Sequence, residues 1–287
     1  MESSSLRSHP ASASPQLRVL DEIVEGLSRD YGVHPYSKWR GAHWRLASLI
    51  EIAPDEAMPA ALQAAEDVLG WLANPKRPRR FPTVDGRVRR CASQEGLALY
   101  NCCRIGMADD PRLRTIAESL VTTQWPDGGW NCDRRPEATH SSFNETWAPT
   151  MGLAAYARNM ADASARAAAE HAAEFLLQHA VYQSHRTGKP AHPGVVKLRF
   201  PPYWHYDALV GLVTLARSVG LDDARAGDAL DLVELRRRDD GTWRTDGKWW
   251  KRPGSKGSNV EAVDWGPAAD DVLTARAREV LAAGHRR

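Results

Sequence analysis

Amphipathic helical segments repeat along this chain, and no other feature restricts its fold as much. Apolar residues recur at i, i+3, i+4 and i+7 over ten stretches: Leu17 to Ser28, Trp39 to Ile52, Ala60 to Ala73, Ser93 to Ile105, Pro111 to Thr123, Ser142 to Met160, Ala163 to His179, His205 to Val219, Asp222 to Arg236 and Ala268 to Ala283. Gly, Pro, Asp or Ser stands at most of their ends, as helix boundaries require. A short strand over Val195 to Phe200 is the one extended segment the pattern allows. The segments also alternate in kind. Helices rich in small residues start near His43, Ser93, Ser142, His205 and Trp265, about 50 to 64 residues apart, and each is followed by a more charged helix. The pairs Gly96-Leu97, Gly152-Leu153 and Gly211-Leu212 fall at comparable points, and the turn Asp127-Gly128-Gly129-Trp130 has a counterpart in Asp240-Gly241-Thr242-Trp243. Self-similarity at this period predicts an all-α protein of stacked helical hairpins, arranged as an open solenoid or closed into a ring.

A chain of 287 residues is long enough to bury a real core, in one large domain or two small ones. The first 15 residues, MESSSLRSHPASASP, lack an apolar stretch and are expected to form a disordered tail, leaving residues 16–287 as a single domain. A net charge of +2 offers no track for nucleic acid, and no apolar run approaches the roughly 20 residues of a membrane span. The expectation is a cytoplasmic protein. Four cysteines in a chain of this size do not make a disulfide framework.

The stretch QWPDGGW, Gln124 to Trp130, resembles the QW motif of squalene-hopene and oxidosqualene cyclases. The alternation of small-residue inner helix and charged outer helix is similar to the α/α-toroid those cyclases share with the β subunit of protein prenyltransferases, over roughly residues 39 to 283. The resemblance implies a closed ring of about five to six helical hairpins and a small-molecule, isoprenoid substrate. RRRDDGTW is a degenerate second copy, with Arg236 about where a glutamine is expected. Class II cyclases protonate their substrate from a DxDD motif, and this chain has none. Its acidic pairs, Asp109-Asp110, Asp222-Asp223, Asp239-Asp240 and Asp270-Asp271, sit in turns or at helix starts, where capping explains them. Prenyltransferase β subunits bind zinc through Asp, Cys and His. His205 in PPYWHYDALVGL matches the histidine position, and the earlier Asp-x-Cys has no counterpart.

The residues themselves suggest three clusters. Cys132, His140 and His205 form a candidate zinc set, with Asp133 or Glu145 as fourth ligand or orienting group; the plainer reading is a free cysteine and two capping histidines. In RRCASQEGLALY, Ser93 reads as an N-cap and Glu95 as a first-turn carboxylate, yet Arg90, Cys91, Gln94 and Glu95 also stand at the mouth of an inner helix, where Glu95 can serve as a general base. In PPYWHYDAL, the residues Tyr203, Trp204, His205, Tyr206 and Asp207 make an aromatic wall with polar groups, the composition of a small-molecule pocket. Trp39, Arg40, His43, Trp44, Asp264 and Trp265 extend the same pattern. Glu95, Glu145 and Asp207 are thus the catalytic candidates, and Arg90, Gln94, Tyr203, Trp204, Tyr206, Trp44 and Trp265 the substrate-binding ones. No glycine-rich phosphate loop is present, so no nucleotide cofactor is expected. Three functions stand open: a zinc-assisted small-molecule enzyme, a metal-free cyclase of a small isoprenoid with Glu95 or Asp207 as acid, and a non-catalytic helical scaffold.

Overall fold

A computed structural model describes residues 15–28, 32–53, 55, 58–76 and 81–286; the expected tail at 1–15 lies, but for Pro15, outside the described residues. The helices are α1 (Pro15–Ser28), α2 (Ala42–Ile52), α3 (Met58–Leu72), α4 (Ala92–Arg104), α5 (Pro111–Thr122), α6 (Phe143–Met160), α7 (Ala163–Gln178), α8 (Ala208–Ala216), α9 (Gly227–Glu234) and α10 (Gly266–Ala283). The protein is mostly helical, and the only sheet among the described residues is a hairpin of β1 (Thr83–Val84) and β2 (Arg87–Val88). Its turn, Asp85-Gly86, has φ of 48° and 72°, the left-handed pair that a two-residue hairpin loop needs.

Capping sets several helix starts. The Asp110 carboxylate accepts the Arg112 amide at the start of α5, Asp162 accepts Ala165 at α7, and Asp207 accepts Val210 at α8. Asp223 and Asp240 accept the Arg225 and Thr242 amides in turns, and Asp270 reaches from α10 to Thr245. Asp110, Asp223 and Asp240 are thus used locally, as expected, whereas Asp270 lies inside α10 and bonds Thr245, 25 residues away in the chain.

Helices α2, α4, α6, α8 and α10 touch in that order, and α1 contacts both α2 and α10. In addition α3 packs on α2, α5 on α4, α7 on α6 and α9 on α8. One apolar cluster runs through all of them, from Val19 to Leu281. Helices α2 and α10 also meet through charge: Glu51 of α2 bonds Arg276 of α10 at 3.0 Å and Arg217, just after α8, at 2.7 Å. Between α4 and α6 the glycines decide the distance. A Cβ on Gly96 would come within 2.2 Å of the Pro149 nitrogen, and one on Gly152 within 2.4 Å of the Gly96 carbonyl oxygen. Gly96 and Gly152 therefore mark where α4 and α6 touch backbone to backbone, whereas Gly211, in the third Gly-Leu pair, lies against the side chains of Tyr206 and Val181.

Three expectations need correction. Val195 to Phe200 forms turns and bends, not a strand. The helix expected from His205 begins at Ala208, because Pro201, Pro202 and a left-handed Tyr203 (φ 53°) hold the preceding chain in an irregular path until Asp207 caps it. The helix expected over Asp222 to Arg236 is split into a 3-10 turn, Ala224–Ala226, and the short α9.

Candidate metal centre

The loop from Gln124 to Ser142 is closed by its own residues. Gly128, at φ 96°, turns the chain so tightly that a Cβ there would strike the His171 carbonyl. The Trp125 amide donates to Gly129, and the Gln124 side chain donates to the carbonyls of Gly128 and Ala168. Trp130 is fully buried, and its indole donates to the Leu120 carbonyl while its amide donates to the Thr146 hydroxyl. The second copy of the turn repeats these bonds: the Trp243 indole donates to Val233 and its amide to Thr274. Asp127 accepts the amide and hydroxyl of Ser141 at 2.7 and 2.6 Å, so it ties the loop to the entry of α6.

This closed loop lies along the approach to α4. The Trp125 indole donates to the Val88 carbonyl, the Arg90 amide donates to the Asn131 carbonyl at 3.1 Å, and Arg89 and Asn131 form a parallel bridge. The two strands of chain that run side by side here end in Cys91 and Cys132. Glu145 reaches them from the first turn of α6. The donor atoms of Cys91, Cys132 and Glu145 all lie within 4.8 Å of one another, near enough that small side-chain rotations would let one metal ion reach all three. Both cysteines are exposed and Glu145 is buried, so the group opens to solvent on its sulfur side.

The surroundings orient this trio. The Glu145 carboxylate accepts the Ser93 amide, at the start of α4, at 2.9 Å. Burial pushes the Glu145 carboxyl up, with the Ser93 amide and the Cys132 thiol pulling partly back. The Cys132 thiol is pushed far up by its contact with Cys91, by burial and by the Glu145 charge. The Tyr36 hydroxyl pairs with Gln94 and faces Glu145, Cys91 and Cys132; burial and those acids raise its pKa as well. Tyr36, Cys132 and Glu145 are acids among acids, and each holds its proton more tightly than usual. A divalent cation placed among them would neutralise that repulsion and favour the thiolates. Two sulfurs and one carboxylate oxygen are a donor set that zinc accepts.

The structure does not bring His140 and His205 to Cys132, which corrects the expected ligand set. His140 is exposed, on a carbonyl held by the Asn131 side chain at 2.8 Å, while the parallel pairing draws Cys132 towards Cys91. His205 is stacked between two indoles, 3.9 Å from Trp204 and 3.8 Å from Trp249 at an interplanar angle of 1°. Arg199 lies over the far face of that stack, against Trp249, and Lys38 over Trp204. Burial and these two cations push the His205 pKa down to about 4, against the pull of the Pro202 carbonyl. Asp133 turns away to Arg135 at 2.6 Å, so Glu145 is the acidic member of the set.

The other candidates are dispersed among the helices. Glu95 is paired with Arg90, whose guanidinium also donates to the Ser119 carbonyl and the Thr123 hydroxyl, so the two brace α4 against α5. Gln94 stands at the centre through Tyr36. Asp207 is buried, bonded to the amides of Val210 and Arg199, and raised by burial to about 6. Tyr206 donates to the Val181 carbonyl at 2.6 Å, and the Trp265 indole donates to Glu261. Trp39 stacks on Tyr203 at 3.9 Å, and His43 packs against Tyr36 and Trp44. Trp44 and Tyr203 face a cavity lined also by Tyr100, Asn101 and Trp147, with an open volume of about 40 Å³. Neither Glu95 nor His205 lines it.

No protein-family profile matches the chain, and no curated protein matches it. No helix among the described residues is long and apolar enough to cross a membrane. Two members of the site escaped the sequence reading of ligands, Cys91 and Tyr36. A signal for Cys91 existed: Cys102 and Cys103 fall inside a helical period, which leaves Cys91 and Cys132 as the two cysteines at helix entries.

Proposed function

We propose that this protein is an enzyme acting on a small organic molecule at a zinc ion held by Cys91, Cys132 and Glu145. The convergence of those three donors within 4.8 Å carries the reading. Three protein ligands leave a fourth position for water or substrate, the pattern of catalytic rather than structural zinc. The bound metal would supply a Lewis acid or an activated water at that position. Ser93 orients the Glu145 carboxylate through its amide, and the half-buried Tyr36 hydroxyl, paired with Gln94, stands beside the three donors as a further polar group of the site. We further read the circuit of inner and outer helices as an α/α-toroid of the terpenoid cyclase and prenyltransferase kind, with the metal at the rim where α4 and α6 begin.

The centre of the ring argues against the metal-free cyclase. A cavity of about 40 Å³ is well below the roughly 150 Å³ that holds benzene, so an isoprenoid does not fit inside it as it stands. Equilibrium dialysis against zinc tests the proposal. The full chain is expected to hold one equivalent, and Cys91→Ala, Cys132→Ala and Glu145→Gln to lose it while remaining folded. Well under one equivalent in the unaltered protein would dispose of the zinc reading.

A further inference from the structure

We propose that Cys91 and Cys132 are also an oxidation site, a pair that closes into a disulfide under a two-electron oxidant such as hydrogen peroxide and thereby withdraws both sulfurs from the metal position. The metal half of this proposal rests on the zinc reading; the disulfide half does not.

Proximity and access carry it. The two sulfurs are within 4.8 Å of each other; Cys91 is exposed, and Cys132 reaches solvent although its thiol is partly covered. The chain segments that bear them are held in parallel by the Arg90 amide on Asn131 and the Arg89 to Asn131 bridge, so the two thiols stay together without a metal between them. Neither residue is inside a helix: Cys91 immediately precedes α4, and Cys132 opens the irregular run that leads to α6. Side-chain rotation at these positions is not opposed by a helical turn, and a bond of about 2.05 Å needs the sulfurs to close by such rotation. The other two cysteines are a built-in control. Cys102 and Cys103 are buried in the second half of α4, at 0% and 5% exposure, where oxidant does not reach them.

The chemistry balances in two steps. One thiol passes its proton to solvent and its thiolate sulfur attacks peroxide; the O–O bond breaks, a sulfenic acid forms, and the hydroxide that leaves takes up a proton as one water. The second thiol attacks the sulfenic sulfur, the S–S bond forms, and its proton leaves with the hydroxyl as a second water. The two sulfurs give up two electrons in all, and peroxide takes both. A disulfide offers a metal no thiolate, so bound metal and the oxidised pair exclude one another.

The experiment uses the full-length chain, stripped with a chelator or loaded with zinc, exposed to hydrogen peroxide and then denatured and alkylated. The stripped protein is expected to lose two hydrogens in mass and to leave two alkylatable thiols of its four, with peptide mapping joining Cys91 to Cys132. Zinc-loaded protein is expected to react more slowly and to release its zinc as the disulfide appears. In Cys91→Ser the cross-link is expected to vanish and Cys132 to carry the oxygen adducts instead. Four alkylated thiols after peroxide, or cross-links to Cys102 or Cys103, would overturn the proposal. A chain that forms the disulfide but never retains zinc defeats the zinc reading alone; a chain that binds zinc but forms no disulfide once stripped defeats this one alone.

Discussion

Replacing Glu51 by Gln should cost about 3 kcal/mol of stability at pH 7. The carboxylate bonds Arg217 at 2.7 Å and Arg276 at 3.0 Å, and its side chain is only 12% exposed. Burial alone would raise its pKa, but the Arg276 and Arg217 guanidiniums outweigh that and hold it at about 2, from an ordinary 4.5. A depression of that size corresponds to roughly 3 kcal/mol at 1.36 kcal/mol per pH unit. Breaking a buried ion pair costs on the order of 3 to 5 kcal/mol by mutation, so two independent routes agree. The sign follows from the lowered pKa: the contribution is complete above the unfolded value near 4.5 and fades as pH falls towards 2. Linkage puts the difference between Glu51→Gln and the unaltered protein at roughly half its neutral value by pH 3. Urea denaturation at pH 7 and pH 3 measures both. A difference under about 1 kcal/mol at pH 7, or one that does not shrink in acid, would refute the claim that this carboxylate joins α2 to α10.

Trp130→Ala should lower stability by about 3 to 5 kcal/mol, because the indole is fully buried and its N–H bond to Leu120 is lost with it; thermal unfolding followed by circular dichroism reads this, and an unchanged midpoint would mean that the turn does not brace the helices. The His205 imidazole should titrate with a midpoint near 4 in a proton NMR titration, and Trp249→Ala should move that midpoint upward by opening one face of the stack to water. A midpoint near 6.5 in the unaltered protein would contradict the sandwich.

Much of the architecture was legible because it rests on local periodicity. Helix limits fall within a few residues of those expected wherever a capping Asp or a following Gly marks them, as at Asp110 and Asp162. The repeat was legible too: Trp130 and Trp243 each bond a carbonyl ten residues back, so the shared Asp-Gly turn reports shared geometry. The candidate site was legible only in pieces. Cys132 and Glu145 stood out beside the turn, but Cys91 joins them through a parallel pairing of residues 89–91 with Asn131, and an isolated pairing across 42 residues has no periodic signature. His205 misled because a histidine before an apolar helix looks aimed at a rim. Pro201, Pro202 and the left-handed Tyr203 instead turn its ring into the aromatic stack.

The central claim is that one metal ion sits among Cys91, Cys132 and Glu145, and anomalous diffraction from zinc-grown crystals tests it most directly. The account predicts one strong peak about 2.3 Å from both sulfurs and about 2.0 to 2.2 Å from a Glu145 oxygen, with a non-protein oxygen completing the tetrahedron. A peak bound by His140 or His205, or none between the two cysteines, would contradict it.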